Sequence, residues 1–276
     1  MKKTLFGRMF KFGGSLSKTE NIVIGLIGAV ILVLIWYTVT STGRISGRIL
    51  PNPVDVLHKF PVLVRDHNLM HNIGYTVSLN LTGYIIGLAV AIPLGFIISI
   101  FPVMDALFRK YFEAIRYLPL PAASGIFIAI FGLGFGMKAK FLAFGIIIFT
   151  LPALMQKITD LQNPANEKDY TYIESAKTLG MTSWQMFRYV YWPYVMDKLY
   201  QDIRSLVAIS YTYVVISECF NKEGGIGAAI STFSRQSRTP EIYALLIIII
   251  CIGILQDQAF KLMEPVIFPY RKKEKK

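Results

Sequence analysis

Apolar residues run in long uncharged blocks along this chain. Between Glu20 and Arg44 lie 23 residues without a charge; His71 and Asp105 enclose 33 more, and Arg116 and Lys138 a further 21. A helix needs about 20 apolar residues to cross the hydrocarbon core of a bilayer, so three segments qualify on length alone. The pattern predicts six membrane-spanning helices, over 21–41, 73–101, 118–137, 141–156, 193–220 and 240–263. Helices are expected because backbone groups in lipid must be bonded internally. The second block, roughly 29 residues or about 43 Å as a helix, outruns the core thickness, so it should tilt, kink near Pro93 or project beyond the membrane. The fifth block carries Asp197, Lys198, Asp202, Arg204 and Glu218 among its apolar residues.

This is an all-α, multi-pass reading of one domain over 1–276, with no linker and no internal repeat. The run after Lys18 is longer than the roughly 7–15 residues of a signal-peptide core, and reads as a retained first span. Lysine and arginine mark the cytoplasmic side. With the N-terminus inside, the inner segments 1–20, 101–117, 157–204 and 261–276 hold 20 of the 29 basic residues. Both termini are then cytoplasmic: a basic N-terminal segment over 1–20 and a basic tail over 264–276. The segment from Arg44 to His71 falls outside and contains all three histidines. His67 and His71, four apart, would share one helix face. With Asp66 they supply too few ligands for a metal, so no metal site is expected.

Composition narrows the class. Hydrophobic residues make up 54% of the chain and charged ones 17%, against about a quarter charged in soluble domains. A soluble globular enzyme is excluded. The net charge of +12 sits between apolar blocks and in the tail, which is membrane topology and no sign of a nucleic-acid partner. Cys219 and Cys251 fall in apolar stretches and read as small buried hydrophobes. No G-x-x-x-x-G-K-[ST] loop is present to cradle nucleotide phosphates. Gly132, Gly134 and Gly136 have the wrong spacing for a dinucleotide loop and suit a turn or close packing. No nucleophile has a neighbouring base, so no catalytic residue is assigned.

The segment between the fourth and fifth spans carries the sharp motif. From Tyr170 to Leu179 it suits a short helix, and Gly180 can take the left-handed conformation that ends one. Thr182 with Gln185 makes a capping box for a second helix, and Pro193 suits the first turn of the fifth span. A two-helix element over 165–190 is therefore expected on the cytoplasmic face, placed to dock a partner.

Glu174-Ser175-Ala176, then Gly180, Val190 and Pro193, resembles the EAA signature of ABC importer permeases, with Ser175 for the usual first alanine. Leu50-Pro-Asn-Pro-Val-Asp-Val-Leu57, Ile92-Pro-Leu-Gly95, Arg116-Tyr-Leu-Pro119 and Phe131-Gly-Leu-Gly134 are similar to further segments of the nitrate/sulfonate/taurine/bicarbonate branch. The resemblance implies a transmembrane permease in the cytoplasmic (inner) membrane, carrying a small, anionic solute by alternating access. It implies Glu174, Ser175, Ala176, Thr178, Leu179 and Gly180 as the residues that couple to an ABC ATPase. ATP and Mg would reside on that ATPase and not on this chain. A second permease copy, identical or closely related, would complete the pore, and an extracytoplasmic solute-binding protein would deliver the solute. Two readings from other classes compete with it: a self-sufficient channel or secondary transporter would show paired broken helices at mid-membrane, and a polytopic membrane enzyme an acid–base constellation at one interface.

Asp197, Arg204, Tyr211 and Glu218 recur every seven residues and fall on nearly one face of the fifth span, drifting by about 20° per repeat. A charge at mid-membrane costs about 2.5–3.5 kcal/mol on insertion scales, so this face should avoid lipid. Arg204 and Glu218 lie roughly 21 Å apart along a helix, so Arg204 needs another partner or water. The stripe reads either as helix-packing glue or as the lining of the translocation path, with Arg204, Tyr211 and Glu218 as candidates.

Overall fold

The structure, a computed structural model, describes residues 12, 14, 16–221 and 223–270. The expected basic segment 1–20 lies largely, and the charges of the tail 264–276 mostly, outside the described residues. Every regular element among the described residues is helical. In chain order they are α1 (Lys18–Ser41), α2 (Pro53–Asp66), α3 (Leu69–Ile100), α4 (Pro102–Ile115), α5 (Leu120–Phe131), α6 (Phe135–Gln162), α7 (Glu167–Thr178), α8 (Ser183–Met186), a π-helical turn (Phe187–Tyr191), α9 (Trp192–Glu218), α10 (Ile226–Arg235) and α11 (Thr239–Ile267). Of these α1, α3, α6 and α11 are long and apolar enough to cross a membrane.

The chain divides into two compact units. One runs to Leu63 and takes in Phe233–Ala244; the other takes in Val64–Thr232 and resumes at Leu245. In the first, α1 starts on a capping box in which Ser17 Oγ accepts from the Glu20 N–H and Glu20 Oε2 accepts from the Ser17 N–H. No residue of α1 is buried, as suits a helix whose apolar surface faces lipid or another chain. Trp36 Nε1 donates to the Pro51 carbonyl at 2.9 Å, and buried Glu241 pairs with Lys59 at 3.2 Å and Arg238 at 2.9 Å.

In the second unit the packing follows from small residues. A Cβ on Gly83 would lie 2.6 Å from Leu142 Cβ, one on Gly87 2.7 Å from Ile146 Cβ, and one on Gly95 2.8 Å from Leu154 Cδ2. With Ala91 these make a small residue every fourth position, the spacing that lets two helix backbones approach closely in a membrane. The contacts keep a constant offset of 59 residues, so α3 and α6 run parallel. Between them lie α4 and α5, a pair bent by 107° that is together long and apolar enough for a broken span or a re-entrant loop. α9 runs antiparallel to α6: Gly145 meets Tyr213, Lys157 meets Asp202 and Gln162 meets Tyr191. It also runs antiparallel to α11, with Tyr200 bonded to the Phe260 carbonyl and Arg204 to Asp257. The centre of the unit is the apolar cluster of Tyr84, Phe96, Ile146, Leu154, Val195, Leu199 and their neighbours.

Several expectations need correction. The third span was expected over 118–137, but its helix ends at Phe131 and the next begins at Phe135. Gly132 at φ +71 and Gly134 at φ +152, with open space where a Cβ would sit, turn the chain there. Twelve residues make about 18 Å, too short to cross alone, and the inner segment 101–117 is mostly the helix α4. The fourth span runs well beyond 141–156 at both ends. His67 and His71 share no helix face, because Asn68 at φ +48 breaks the chain between them. Both cysteines are exposed on the chain surface rather than buried, although the Cys219 thiol still donates to the Gly227 carbonyl at 3.4 Å.

Candidate functional site

The expected helix–glycine–helix element is present. α7 spans Glu167–Thr178, opening three residues before the expected Tyr170. At its end Gly180 (φ +67) donates to the Lys177 carbonyl and Met181 to the Ala176 carbonyl. Those two bonds are the Schellman arrangement that closes a helix on a left-handed residue. Thr182 then caps α8 reciprocally with Gln185, Oγ1 accepting from the Gln185 N–H at 3.3 Å and the Thr182 N–H donating to Oε1 at 2.8 Å. The π-helical turn passes without a break into α9, which has Pro193 in its first turn. A proline ring clashes with the carbonyl four residues earlier, and the wider turn ahead of Pro193 makes room for it.

The signature residues divide between packing and display. Ala176 is buried, as is Ile173 one turn earlier. Glu174, Ser175, Thr178, Leu179 and Gly180 are exposed, and Thr178 Oγ1 donates to the Glu174 carbonyl at 2.9 Å. Leu179 at 73% and Trp184 at 67% exposure flank the glycine turn as two apolar knobs.

A polar node, unforeseen from the sequence, ties this element to α9. Asp169 Oδ2 accepts from Tyr194 Oη at 2.7 Å, Lys198 Nζ at 2.9 Å and Asn166 Nδ2 at 2.7 Å. Lys198 also donates to the Tyr194 hydroxyl and lies over its ring. Burial raises the Asp169 carboxyl, but the bonds from Tyr194, Lys198 and Asn166 outweigh it and hold the group below its ordinary value. Such a tie has no local signature, since its acid and its cation stand 29 positions apart.

The stripe on α9 faces its own bundle. Arg204 finds its partner in Asp257, with Nε–Oδ1 at 2.5 Å and Nη2–Oδ2 at 2.8 Å, a two-pronged pair. Tyr211 donates to Gln256 at 2.6 Å, Gln256 to Asn80 at 3.1 Å and Asn80 to Ser210 at 2.8 Å, linking α9, α11 and α3. Glu218 is fully buried. It accepts from Thr76 Oγ1 at 2.8 Å and from the Gly227 N–H at 2.7 Å, while the Ile226 N–H donates to Thr76. A carboxylate and a hydroxyl thus cap the N-terminus of α10. The stripe does not converge on one site: Arg204 and Tyr211 meet α11, and Glu218 meets α3 and α10. Nearby, the enclosed ammonium of Lys138 bonds to Tyr75 at 3.1 Å and lies 3.8 Å from Glu223.

Long apolar helices joined at one end by a glycine-broken two-helix element define a multi-pass membrane protein. The chain belongs to the family of binding-protein-dependent transport system inner membrane components, which matches residues 83–267, and it is the permease subunit of an ABC importer. It is 22% identical to the putative aliphatic sulfonates transport permease of Bacillus subtilis, across 90% of this chain and 87% of that one. It is 21% identical to the taurine transport system permease of Escherichia coli, across 98% and 97%. A probable ABC transporter permease of Brucella melitensis is 26% identical over 81% of this chain and 87% of its own. Among solved structures, the crystal structure of an amino acid ABC transporter with histidines shares the fold, with a TM-score of 0.56, 18% identity, and coverage of 75% of this chain and 96% of that one.

Proposed function

We propose that this permease imports a small anionic solute, with a partner ATPase docked on the 165–190 element. The observation that carries the coupling is the display of Leu179, Trp184 and Glu174 around the Gly180 turn, while Ala176 anchors the same helix inward. Rigid apolar knobs beside an exposed charge suit a protein groove, since interface cores favour aromatic and aliphatic anchors. ATP and Mg then act on the ATPase. Six crossings with both termini in the cytoplasm accord with the parallel course of α3 and α6 and the opposite course of α9. A second copy completes the path, because closed twofold pairs are the commonest oligomer, and an extracytoplasmic binding protein delivers the solute. Support for an anionic group on the solute comes from the aliphatic sulfonates and the taurine named for two relatives, since each carries a sulfonate.

The contacts of Arg204, Tyr211 and Glu218 favour helix positioning over path lining, because each polar head is engaged within its own chain. The test of the coupling reading is co-purification with the ATPase. Gly180→Leu forces a Cβ-bearing residue into a left-handed turn, and Glu174→Lys reverses the displayed charge. Both are expected to insert normally and to lose ATPase recovery and uptake. Full recovery with normal uptake would remove the assignment.

A further inference from the structure

Three residues within a seven-residue stretch of α9 carry ties to three different elements: Lys198 to Asp169 of α7 at 2.9 Å, Asp202 to Lys157 of α6 at 3.2 Å, and Arg204 to Asp257 of α11 at 2.8 Å. The first differs from the others, because it joins a spanning helix to the two-helix element rather than to another long helix. A single oxygen of Asp169 gathers three donors, two of them on the opening turns of α9 and the third, Asn166, at the start of α7 itself. The Lys198 side chain is 40% exposed and that of Asp169 16%. Ion pairs this open to solvent contribute little to stability, yet charge-assisted bonds fix geometry closely.

We propose that Asp169, through Tyr194 and Lys198, is the positioning residue that makes α9 follow the two-helix element when the ATPase moves it. This rests on the coupling reading above. Between Thr178 and Trp192 the chain turns at Gly180 and widens through the π-helical segment, so the covalent route from α7 to α9 passes one glycine turn and one stretch of wider winding. The Asp169 node bypasses both. It joins the near end of α7 directly to the first two turns of α9, and a push on α7 then displaces α9 instead of being absorbed at the turn. Coupling of this kind requires a physical element that both sites bias, and here it is one carboxylate shared by two helices.

The experiment uses the assembled complex in proteoliposomes, with uptake and ATP hydrolysis measured on the same vesicles. Asp169→Asn and Lys198→Met are expected to retain the ATPase and its hydrolysis while uptake per ATP falls about tenfold, within the range that coupling residues span. Tyr194→Phe, which keeps the ring, should lose less, and Asp169→Lys combined with Lys198→Asp should recover most of the ratio. Unchanged uptake per ATP in all variants overturns the proposal. So does a parallel fall in uptake, hydrolysis and melting temperature that the charge swap fails to rescue, which would mark a folding role. Loss of the ATPase from Asp169→Asn alone would make the residue a docking contact and also overturn it. Failure of the unmodified chain to recover an ATPase sinks the coupling reading, and the role of Asp169 with it.

Discussion

Gly225 lies so close to Glu218 that a Cβ built on it would sit 2.2 Å from the carboxylate carbon. The glycine is at φ +100, its N–H donates to Asn72 at 3.1 Å, and the carboxylate reaches past it to the Gly227 N–H. Only a residue without a side chain lets the end of α9 fold back onto the start of α10. Gly225→Ala is therefore expected to lower the melting temperature sharply, as contact and backbone strain add. Glu218→Gln keeps the volume but turns one of its two acceptor oxygens into a donor; with the amide oxygen kept on the Gly227 N–H, the Thr76 hydroxyl loses the acceptor for its proton. Leaving a buried donor unmatched costs about 1–3 kcal/mol, so this variant should be destabilised by that order. Thermal unfolding in detergent checks both.

The glycines of α3 give a graded expectation. At Gly83 and Gly87 the added Cβ would meet the Cβ atoms of Leu142 and Ile146, with the Ala143 carbonyl 3.0 Å from the second. Those neighbours cannot move without the backbone of α6. At Gly95 the obstacle is the far end of Leu154, which can change rotamer. Overpacking typically costs about 1–3 kcal/mol. Gly87→Ala and Gly83→Ala should reach the upper part of that range and Gly95→Ala the lower, read as folded yield and melting temperature.

These two sites mark where sequence reading stops. The Gly180 turn and the Thr182–Gln185 box were legible because each depends on residues within about one turn of helix. Apolar blocks also located α1, α3, α6 and α11, but the charge-free run from Tyr117 to Met137 hid a bend, since lipid solubility says nothing of direction. Arg204's need for a partner was readable from the cost of a charge in lipid. That the partner is Asp257, 53 positions on, was not, and neither were Asp169 with Lys198 or Gly83 with Leu142. Glu218 stood on the right stripe for the wrong reason: spacing by seven gives a face, while the cap it makes on α10 depends on a loop folding back.

Asp169 also yields a pH expectation. Its carboxyl is held below the ordinary 3.8, so the native state favours the ionised form more than the unfolded chain does. The stability it contributes is fully present above about pH 4 and is lost as pH falls through the lower native value. Between pH 5 and 8 the Asp169 carboxyl stays ionised, and uptake per ATP should be flat where this group is concerned. A titration of that ratio with a midpoint in this window that vanishes in Asp169→Asn would contradict the lowered value.

Arg204 and Asp257 separate packing from path lining. The two side chains are 29% and 32% exposed within the chain, and a two-pronged arginine–carboxylate pair is among the stronger charge contacts. If the pair only joins α9 to α11, removing one charge leaves the other without its partner at membrane depth. Arg204→Gln and Asp257→Asn should then each lower folded yield, while the double variant recovers much of it because neither charge remains. Uptake per folded complex should change little in any of the three. If Arg204 instead meets the solute, the double variant folds but its uptake per folded complex falls with that of Arg204→Gln, and Asp257→Asn raises affinity for an anion by baring the guanidinium. Arg204→Lys sharpens the contrast, since a lysine keeps the charge and loses the fork: packing predicts a partial loss of yield, and solute contact predicts a shift in KM. Double-mutant analysis of yield and uptake on the same preparations decides between them, and the geometry here leads us to expect the recovery of yield.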